Sequence, residues 1–320
     1  MRSDIRDLET DLLYLRKGAG VTPGRLGAVG TLRLVLGGHD VPDAVLRQRL
    51  ESAIGSLHDE DAELLLDVFA LSPGTAGLPT LRQRRAHYGS RIGRGVDTVA
   101  GREASAIANL RNQLLTGWYP ASPVPGGRVP EAHNSVVQEK VEILTVVEDR
   151  HWQQTREHYR FLALFDEADY IRVSNSFPGV VVPEPPFTVR SHRIGDSYGY
   201  DFYTPRPMCR GQTYDLRCTI RPDPDLGEDG QIVESSRAFH ERTLTAAFEI
   251  LFIGERPQTV WGFEGLTFFE RPGEPTRDEE LELDDTRSAR TTYRDPHGGL
   301  LEQDGNGRAR QCVAKFRKYS

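Results

Sequence analysis

The sequence predicts an α+β protein of two domains, a helical N-terminal domain and a C-terminal antiparallel β-sandwich of the immunoglobulin-like type. Three observations support this fold class. Apolar residues recur at helical spacing in the first third of the chain, they alternate with a period of two in the last part, and the stretch between is rich in proline and glycine. We therefore expect a helical domain at 1–116, a linker at 117–133 and a β-sandwich at 134–320.

The composition is that of a globular protein. Hydrophobic residues make up 38% of the chain and charged residues 27%, which is enough apolar material to form a core. No apolar run reaches the ~20 residues that a membrane helix needs. Charged residues also occupy the N-terminal stretch where a signal peptide would be apolar. We expect a cytoplasmic protein with no membrane interaction.

Cysteine and histidine do not follow the spacing of a metal site. The three cysteines, Cys209, Cys218 and Cys312, are too far apart in sequence for metal-ligand motifs, and their odd number argues against a disulfide framework. The histidines form no HxH or HxxxH pair, and no GxSxG motif is present. We therefore expect free thiols, no metal, no cofactor and no catalytic residue that a linear motif reveals.

Four helices are predicted before residue 72. Leu8, Leu12 and Leu15 are spaced for one face of a helix at 4–17, which has acidic residues in its first turn. Thr22 followed by Pro23 is typical of the start of a second helix. A third is expected after Pro42, and the acidic run that follows His58 predicts the start of a fourth.

Two further helices have the outline of a helix-turn-helix. Thr80 can cap the first, which is basic, and a glycine-rich turn separates it from the second. The second is expected to begin near Asp97 or Thr98 and to bury an apolar stripe. That stripe consists of Val99, Ala106, Ile107, Leu110 and Leu114.

This pair of helices is the candidate DNA-binding site. Seven arginines and two acidic residues lie between 78 and 117, so the positive charge is local. In a major-groove complex, neighbouring arginines hold phosphates and the N-terminal residues of the second helix read bases. The phosphate-binding candidates are Arg82, Arg84, Arg85, Arg91 and Arg94, and the candidates nearer the bases are Thr98 and Arg102. An arginine-rich solvated face of an ordinary bundle would produce the same pattern.

Four segments also carry a resemblance to a protein group. They are RKGAGVTPGRL at 16–26, TLRQRR at 80–85, TVAGREASAIANL at 98–110 and PRPMCRGQTYDLRCTI at 205–220. The chain resembles a group of uncharacterised actinobacterial proteins with a helix-turn-helix-like N-terminal region and a β-rich C-terminal region. The resemblance implies two domains and implies no activity.

The strands of the second domain follow from residue alternation. Tyr214, Leu216, Cys218 and Ile220 alternate with polar residues, which predicts a strand with one buried face. The stretch 244–253 is apolar on both faces and should be a central strand. The C-terminal QCVAKFRKY should form an edge strand, because its basic residues discourage further pairing. His158 is expected on a sheet surface.

An acidic segment lies near the end of the chain. It contains Asp278, Glu279, Glu280, Glu282, Asp284 and Asp285. A solvated loop explains it. A sharper hypothesis is that it folds back on the basic helices and competes with nucleic acid.

The leading functional hypothesis is a regulatory protein that contacts double-stranded DNA through its helical domain, with the β-sandwich as a sensor or as a docking module for another protein. The alternative is a protein–protein interaction or scaffold protein that binds no nucleic acid. A third option is an enzyme whose site is assembled from distant residues, which a deep pocket lined by acids and histidines would support. The sequence does not define the oligomeric state.

Overall fold

The computed structural model describes two compact units, Met1–Val129 and Pro130–Ser320. The described residues are 7–123, 136–164, 166, 168–175, 178–194, 197–223, 234–239, 242–257, 259–267, 276–294 and 310–316. The chain is thus a mixed α and β protein, with its helices before residue 117 and its strands after residue 135.

Seven α-helices lie in the described part of the first unit. They are α1 Leu8–Leu15, α2 Pro23–Leu26, α3 Gly30–Val35, α4 Asp43–Ile54, α5 Asp59–Val68, α6 Leu81–Ile92 and α7 Val96–Thr116. The sequence predicted all of them except α3, which begins at a glycine and has no side-chain cap. None of these helices combines the length and the apolarity that a membrane span requires.

The helix ends follow their local chemistry. Asp7 caps α1 by accepting a hydrogen bond from the Thr10 amide at 2.7 Å. Thr80 and Gln83 form a capping box at the start of α6, and Gly93 ends that helix in the left-handed region with φ of 65°. The apolar stripe predicted for α7 is buried, as expected. The helix pair therefore forms where the sequence placed it.

The second unit contains thirteen strands in its described residues. They are β1 Val136–Glu148, β2 His151–Ala163, β3 Ala168–Asn175, β4 Gly179–Pro183, β5 Thr188–Ile194, β6 Ser197–Met208, β7 Thr213–Pro222, β8 Glu234–Phe239, β9 Thr243–Ile253, β10 Val260–Thr267, β11 Glu280–Leu281, β12 Ser288–Arg294 and β13 Arg310–Phe316. They form sheets ordered β12-β9-β1-β2-β7-β4, β11-β10-β13-β8 and β3-β6-β5.

The predicted antiparallel sandwich does not describe these three sheets, and the edge position predicted for the last strand is wrong. The six-stranded sheet is mixed, because β1 and β9 pair in parallel although they are distant in sequence. The strand β13 lies between β10 and β8, so it is not an edge strand despite its basic residues. The central position of β9 is confirmed, since it lies between β12 and β1.

The six-stranded sheet has an apolar face and a polar face. One face packs into a core that all three sheets share, through residues such as Val141, Tyr159 and Leu216. The other face carries Glu142 and His158, which are cross-strand partners, and we call it the outer face. Because side chains alternate along a strand, the register alone assigns each residue to one of the two faces.

Candidate functional site

Arg84, a candidate phosphate ligand, lies in the interior of the helical unit. Its side chain is fully buried. It donates hydrogen bonds to the backbone carbonyls of Val68 at 2.9 Å, Gly18 at 2.8 Å, Leu78 at 2.8 Å and Arg16 at 2.7 Å. Burial lowers the pKa of Arg84, and the nearby Arg25 lowers it further. Arg84 therefore links several segments of the fold and does not face solvent.

Arg85 is also held by the fold. Its Nε donates to Glu103 at 2.6 Å, and Arg16 pairs with the same carboxylate. Glu103 lies on α7 and is fully buried. A buried carboxylate needs such partners, because its desolvation is costly. This cluster fastens α6 to α7 and to the end of α1.

Two more candidates face acidic partners at the surface of the unit. Arg91 contacts Glu63 at 2.7 Å and the buried Asp67 at 2.9 Å. Arg102 lies 3.6 Å from Glu60. The remaining candidates, Arg82, Arg94 and Thr98, are exposed. The basic stretch therefore does not form one open cationic surface.

The acidic segment is partly built into the second unit. A single 3₁₀ turn at Arg277–Glu279 is closed by a capping box between Thr276 and Glu279, and β11 then pairs with β10. Asp284 accepts hydrogen bonds from Thr286 and from the Ser288 amide. Glu282 and Asp285 lie in the same stretch. Competition with nucleic acid stays an untested prediction for this segment.

The outer face of the six-stranded sheet holds a cavity of about 310 Å³. Strands from β12 across to β7 contribute to it, and so does the residue that follows β4. Its charged or titratable lining residues on the outer face are Glu142, Arg156, His158, Glu184, Arg217, Glu249 and Arg290. Glu157 and Cys218 also border it, although alternation directs their side chains to the opposite face. The lining positions span nearly 150 residues of sequence, and the sheet register is what brings them together.

His158 lines this cavity and lies between two carboxylates. Its Nδ1 is 3.1 Å from Glu142 Oε2 and its Nε2 is 2.8 Å from Asp215 Oδ1. Lys140 contacts the other oxygen of Glu142 at 2.7 Å. The hydrogen bond from His158 lowers the pKa of Glu142 to about 2, and Lys140 contributes in the same direction. Glu142 is therefore charged and already neutralised by its neighbours.

Three arginines line the cavity, and they differ in whether an acidic side chain lies near them. Arg156 donates from Nε at 3.3 Å and from Nη2 at 3.0 Å to the amide oxygen of Gln154, a neutral group, when that amide is turned to accept. Arg217 is exposed and has no ion pair with any residue in the described part of the chain. Arg290 is 4.0 Å from both Glu142 and Glu249, the limit of an ion pair.

A buried ion pair lies in the same unit, beneath the sheet. Arg237 pairs with Glu157, which also accepts a hydrogen bond from the Tyr159 hydroxyl at 2.6 Å. Burial by itself lowers the pKa of Arg237, but the Glu157 carboxylate more than offsets this and the net shift is upward. Burial raises the pKa of the nearby Cys218 thiol. Cys218 is thus a protonated thiol and a poor nucleophile.

Metal binding finds no support in the described ranges. No three His, Cys, Asp or Glu side chains are grouped there in a way that could hold an ion. Cys209 and Cys218 are both free thiols, the first exposed and the second buried. The side chain of Cys312 lies outside the described residues.

Comparisons with known proteins give no match in sequence and a weak likeness to solved structures. The sequence matches no family model and no curated protein. An M1 zinc metallopeptidase from Deinococcus radiodurans is 11% identical with a TM-score of 0.30, covering 57% of this chain and 43% of that one. An aminopeptidase N family protein from Idiomarina loihiensis is 11% identical with a TM-score of 0.24, covering 54% and 29%. The chain spans less than half the length of these proteins.

The prediction of a DNA-binding transcription regulator is wrong. The residues give the physical reason, because Arg84 is buried and Arg85 and Arg91 are held by buried carboxylates. The likeness is too weak to assign a peptidase activity to this chain. A protein partner for the sheet unit stays a prediction.

Sequence reasoning missed the outer-face cavity. It placed His158 on a sheet surface, which is correct, but Glu142 and Asp215 are 16 and 57 residues away. Alternation assigns His158, Glu142 and Asp215 each to the polar face of its own strand. Knowledge of the strand order β1-β2-β7 would have been needed to place them side by side.

Proposed function

We propose that the sheet unit binds a small organic anion carrying two or more carboxylate groups in the outer-face cavity. One observation carries this proposal: Arg156 and Arg217 line the cavity, and neither is paired with an acidic side chain in the described residues. Guanidinium groups bind carboxylates through two parallel hydrogen bonds, so such arginines are suited to oxyanions.

The two arginines are positioned to hold one ligand. Arg156 lies opposite Thr219, and Arg217 lies opposite His158, on the neighbouring strands β2 and β7. They are therefore diagonal neighbours on one face, with Cβ atoms about 7 Å apart. A dicarboxylate can engage both guanidinium groups at once, whereas a monocarboxylate engages one.

The acidic residues of the cavity do not neutralise the positive charge of Arg156 and Arg217. Glu142 is held by His158 and Lys140. Glu249 accepts a hydrogen bond from Ser288 at 2.9 Å and lies near Arg290. Glu184 is exposed and lies next to Arg217 in register, because its amide donates to the Arg217 carbonyl. Glu184 therefore competes with a bound anion for Arg217.

Binding of defined anions to the full chain tests the proposal. Calorimetric titration with tartrate should show one site, and acetate should bind more weakly by about tenfold, because it engages one arginine. Inorganic phosphate at the same concentration distinguishes a general oxyanion site from a carboxylate site. R156Q and R217Q should each weaken tartrate binding by about tenfold or more, and E184Q should strengthen it about threefold.

Arg221 supplies a matched control. It lies on the same strand as Arg217, is exposed, and does not line the cavity. R221Q should therefore leave tartrate binding within about twofold of the wild type. Equal losses for R221Q and R217Q would refute the proposal, because they would show a diffuse effect of surface charge.

A further inference from the structure

Both ring nitrogens of His158 face carboxylate oxygens, at 3.1 Å on Glu142 and 2.8 Å on Asp215. A neutral imidazole has one N–H donor and one lone pair, and a lone pair directed at a carboxylate is repulsive. Only the imidazolium form donates to both carboxylates at once. The geometry therefore belongs to a protonated His158.

Charged groups surround this histidine on its own strand and on both neighbours. They are Lys140 and Glu142 on β1, Arg156 and Arg160 on β2, and Asp215 and Arg217 on β7. Arg160 is 3.5 Å from Asp215 and 3.1 Å from Glu139. Arg217 is the cross-strand partner of His158. The proton on His158 is thus on the strand next to Arg217, one of the two arginines proposed to bind the anion.

We propose that His158 is a positioning residue that couples anion binding in the outer-face cavity to pH, holding the anion when protonated and releasing it when neutral. This inference rests on the proposed function and names the regulation of that site. When His158 loses its proton, one of its two carboxylates loses a donor and the local charge becomes more negative by one. The cavity then attracts an anion less strongly.

The surrounding groups allow a change in pH to act through His158. Glu142 stays ionised because its pKa is about 2. Lysine and arginine keep their charge up to about pH 10. Imidazole is the side chain whose charge ordinarily changes between about pH 5 and 8. By linkage, the bound anion should in turn retain the proton on His158.

The test is tartrate titration of the full chain at about pH 6 and about pH 9, a range in which tartrate is fully dianionic. The wild type should lose about threefold to tenfold in affinity at the higher pH, the effect of one charge at close range near the surface. H158Q should bind with the weaker affinity at both pH values. His151 is the matched control, because it is on the same strand, is exposed and contacts the backbone of Asp149.

H151Q should therefore keep the pH dependence of the wild type. A second measurement does not depend on a variant: ring resonances of His158 in the wild type should show that tartrate retains its proton to higher pH. Wild-type affinity that is equal at the two pH values, or pH dependence that survives in H158Q, would overturn the inference while leaving the anion site intact. If tartrate binds at neither pH, the proposed function is overturned as well.

Discussion

Arginines have opposite roles in the two units. In the helical unit, Arg84 is fully buried and donates to four backbone carbonyls, and Arg85 is held by a buried glutamate. On the outer face of the sheet unit, Arg156 and Arg217 are exposed and have no acidic partner in the described residues. The stretch that looks most basic in sequence is therefore largely used for structure, while less conspicuous arginines are available for a ligand.

This difference shows that charge along the sequence is a poor guide to charge at a surface. The stretch 78–117 holds seven arginines. Its partners are distant in sequence, because Glu60, Glu63 and Asp67 lie on α5 and the carbonyl of Gly18 follows α1. Pairing with these groups removes much of the field that a nucleic acid would meet.

The largest effect is expected from Arg84. R84M removes the donors of four carbonyl groups in the interior, so the free energy of unfolding of the helical unit should fall by about 3–5 kcal/mol. Denaturant titration of the full chain, followed by helical circular dichroism, measures it. R82M on the same helix should change it by less than about 0.5 kcal/mol. Equal effects of the two variants would break the comparison.

The sheet unit has its own structural arginine, Arg237. It pairs with Glu157 and donates to the Ser174 carbonyl and to Asn175 Oδ1, both at 2.9 Å. R237M leaves the Glu157 carboxylate buried without its cation, which should cost about 3–4 kcal/mol in unfolding free energy. R221M, an exposed change in the same unit, is the control. A small loss for R237M would mean that water replaces the pair.

Glu142 gives a pH-dependent effect of intermediate size. Its pKa is lowered from 4.5 to about 2 by His158 and Lys140. A lowered pKa stabilises the fold at pH values above 4.5, and this contribution is lost as the pH falls to about 2. E142Q should therefore lower the unfolding free energy by about 1 kcal/mol near pH 7, after allowance for solvent screening.

The difference between wild type and E142Q should vanish near the pKa of about 2. Urea titrations across that range measure it. Glu148 is exposed on the same strand, so E148Q is the control and should show no such convergence. A constant difference between wild type and E142Q at all pH values would contradict the assigned ionisation.

The smallest expected effect sharpens the comparison most. The double variant R156Q/R217Q removes two exposed guanidinium groups, so the unfolding free energy should change by less than about 0.5 kcal/mol. The same variant should abolish tartrate binding. A loss of stability as large as that of R84M would show that these arginines are structural too.

Much of the fold could be predicted from the sequence, because its signals are local. The Thr80 cap, the Gly93 stop and the alternation in β7 each depend on a few adjacent residues. The parallel pairing of β1 with β9 and the interior position of β13 depend on contacts between distant segments. Alternation gives no information about which strands become neighbours.

The candidate site could not be predicted from local sequence signals for the same reason. The residues Glu142, His158, Asp215 and Arg217 come from three strands and become adjacent through register. The burial of Arg84 was equally invisible, because its four acceptors are backbone carbonyls, which every residue carries. A sequence pattern cannot mark a partner of that kind.

Arginine footprinting of the full chain with phenylglyoxal, read by mass spectrometry, tests the central contrast most directly. Arg84 should remain unmodified in the folded protein while the exposed Arg82, Arg156, Arg217 and Arg221 react. Tartrate should protect Arg156 and Arg217 and leave Arg82 and Arg221 reactive. Modification of Arg84 at the rate of Arg82, or unchanged rates at Arg156 and Arg217 with tartrate present, would contradict the account.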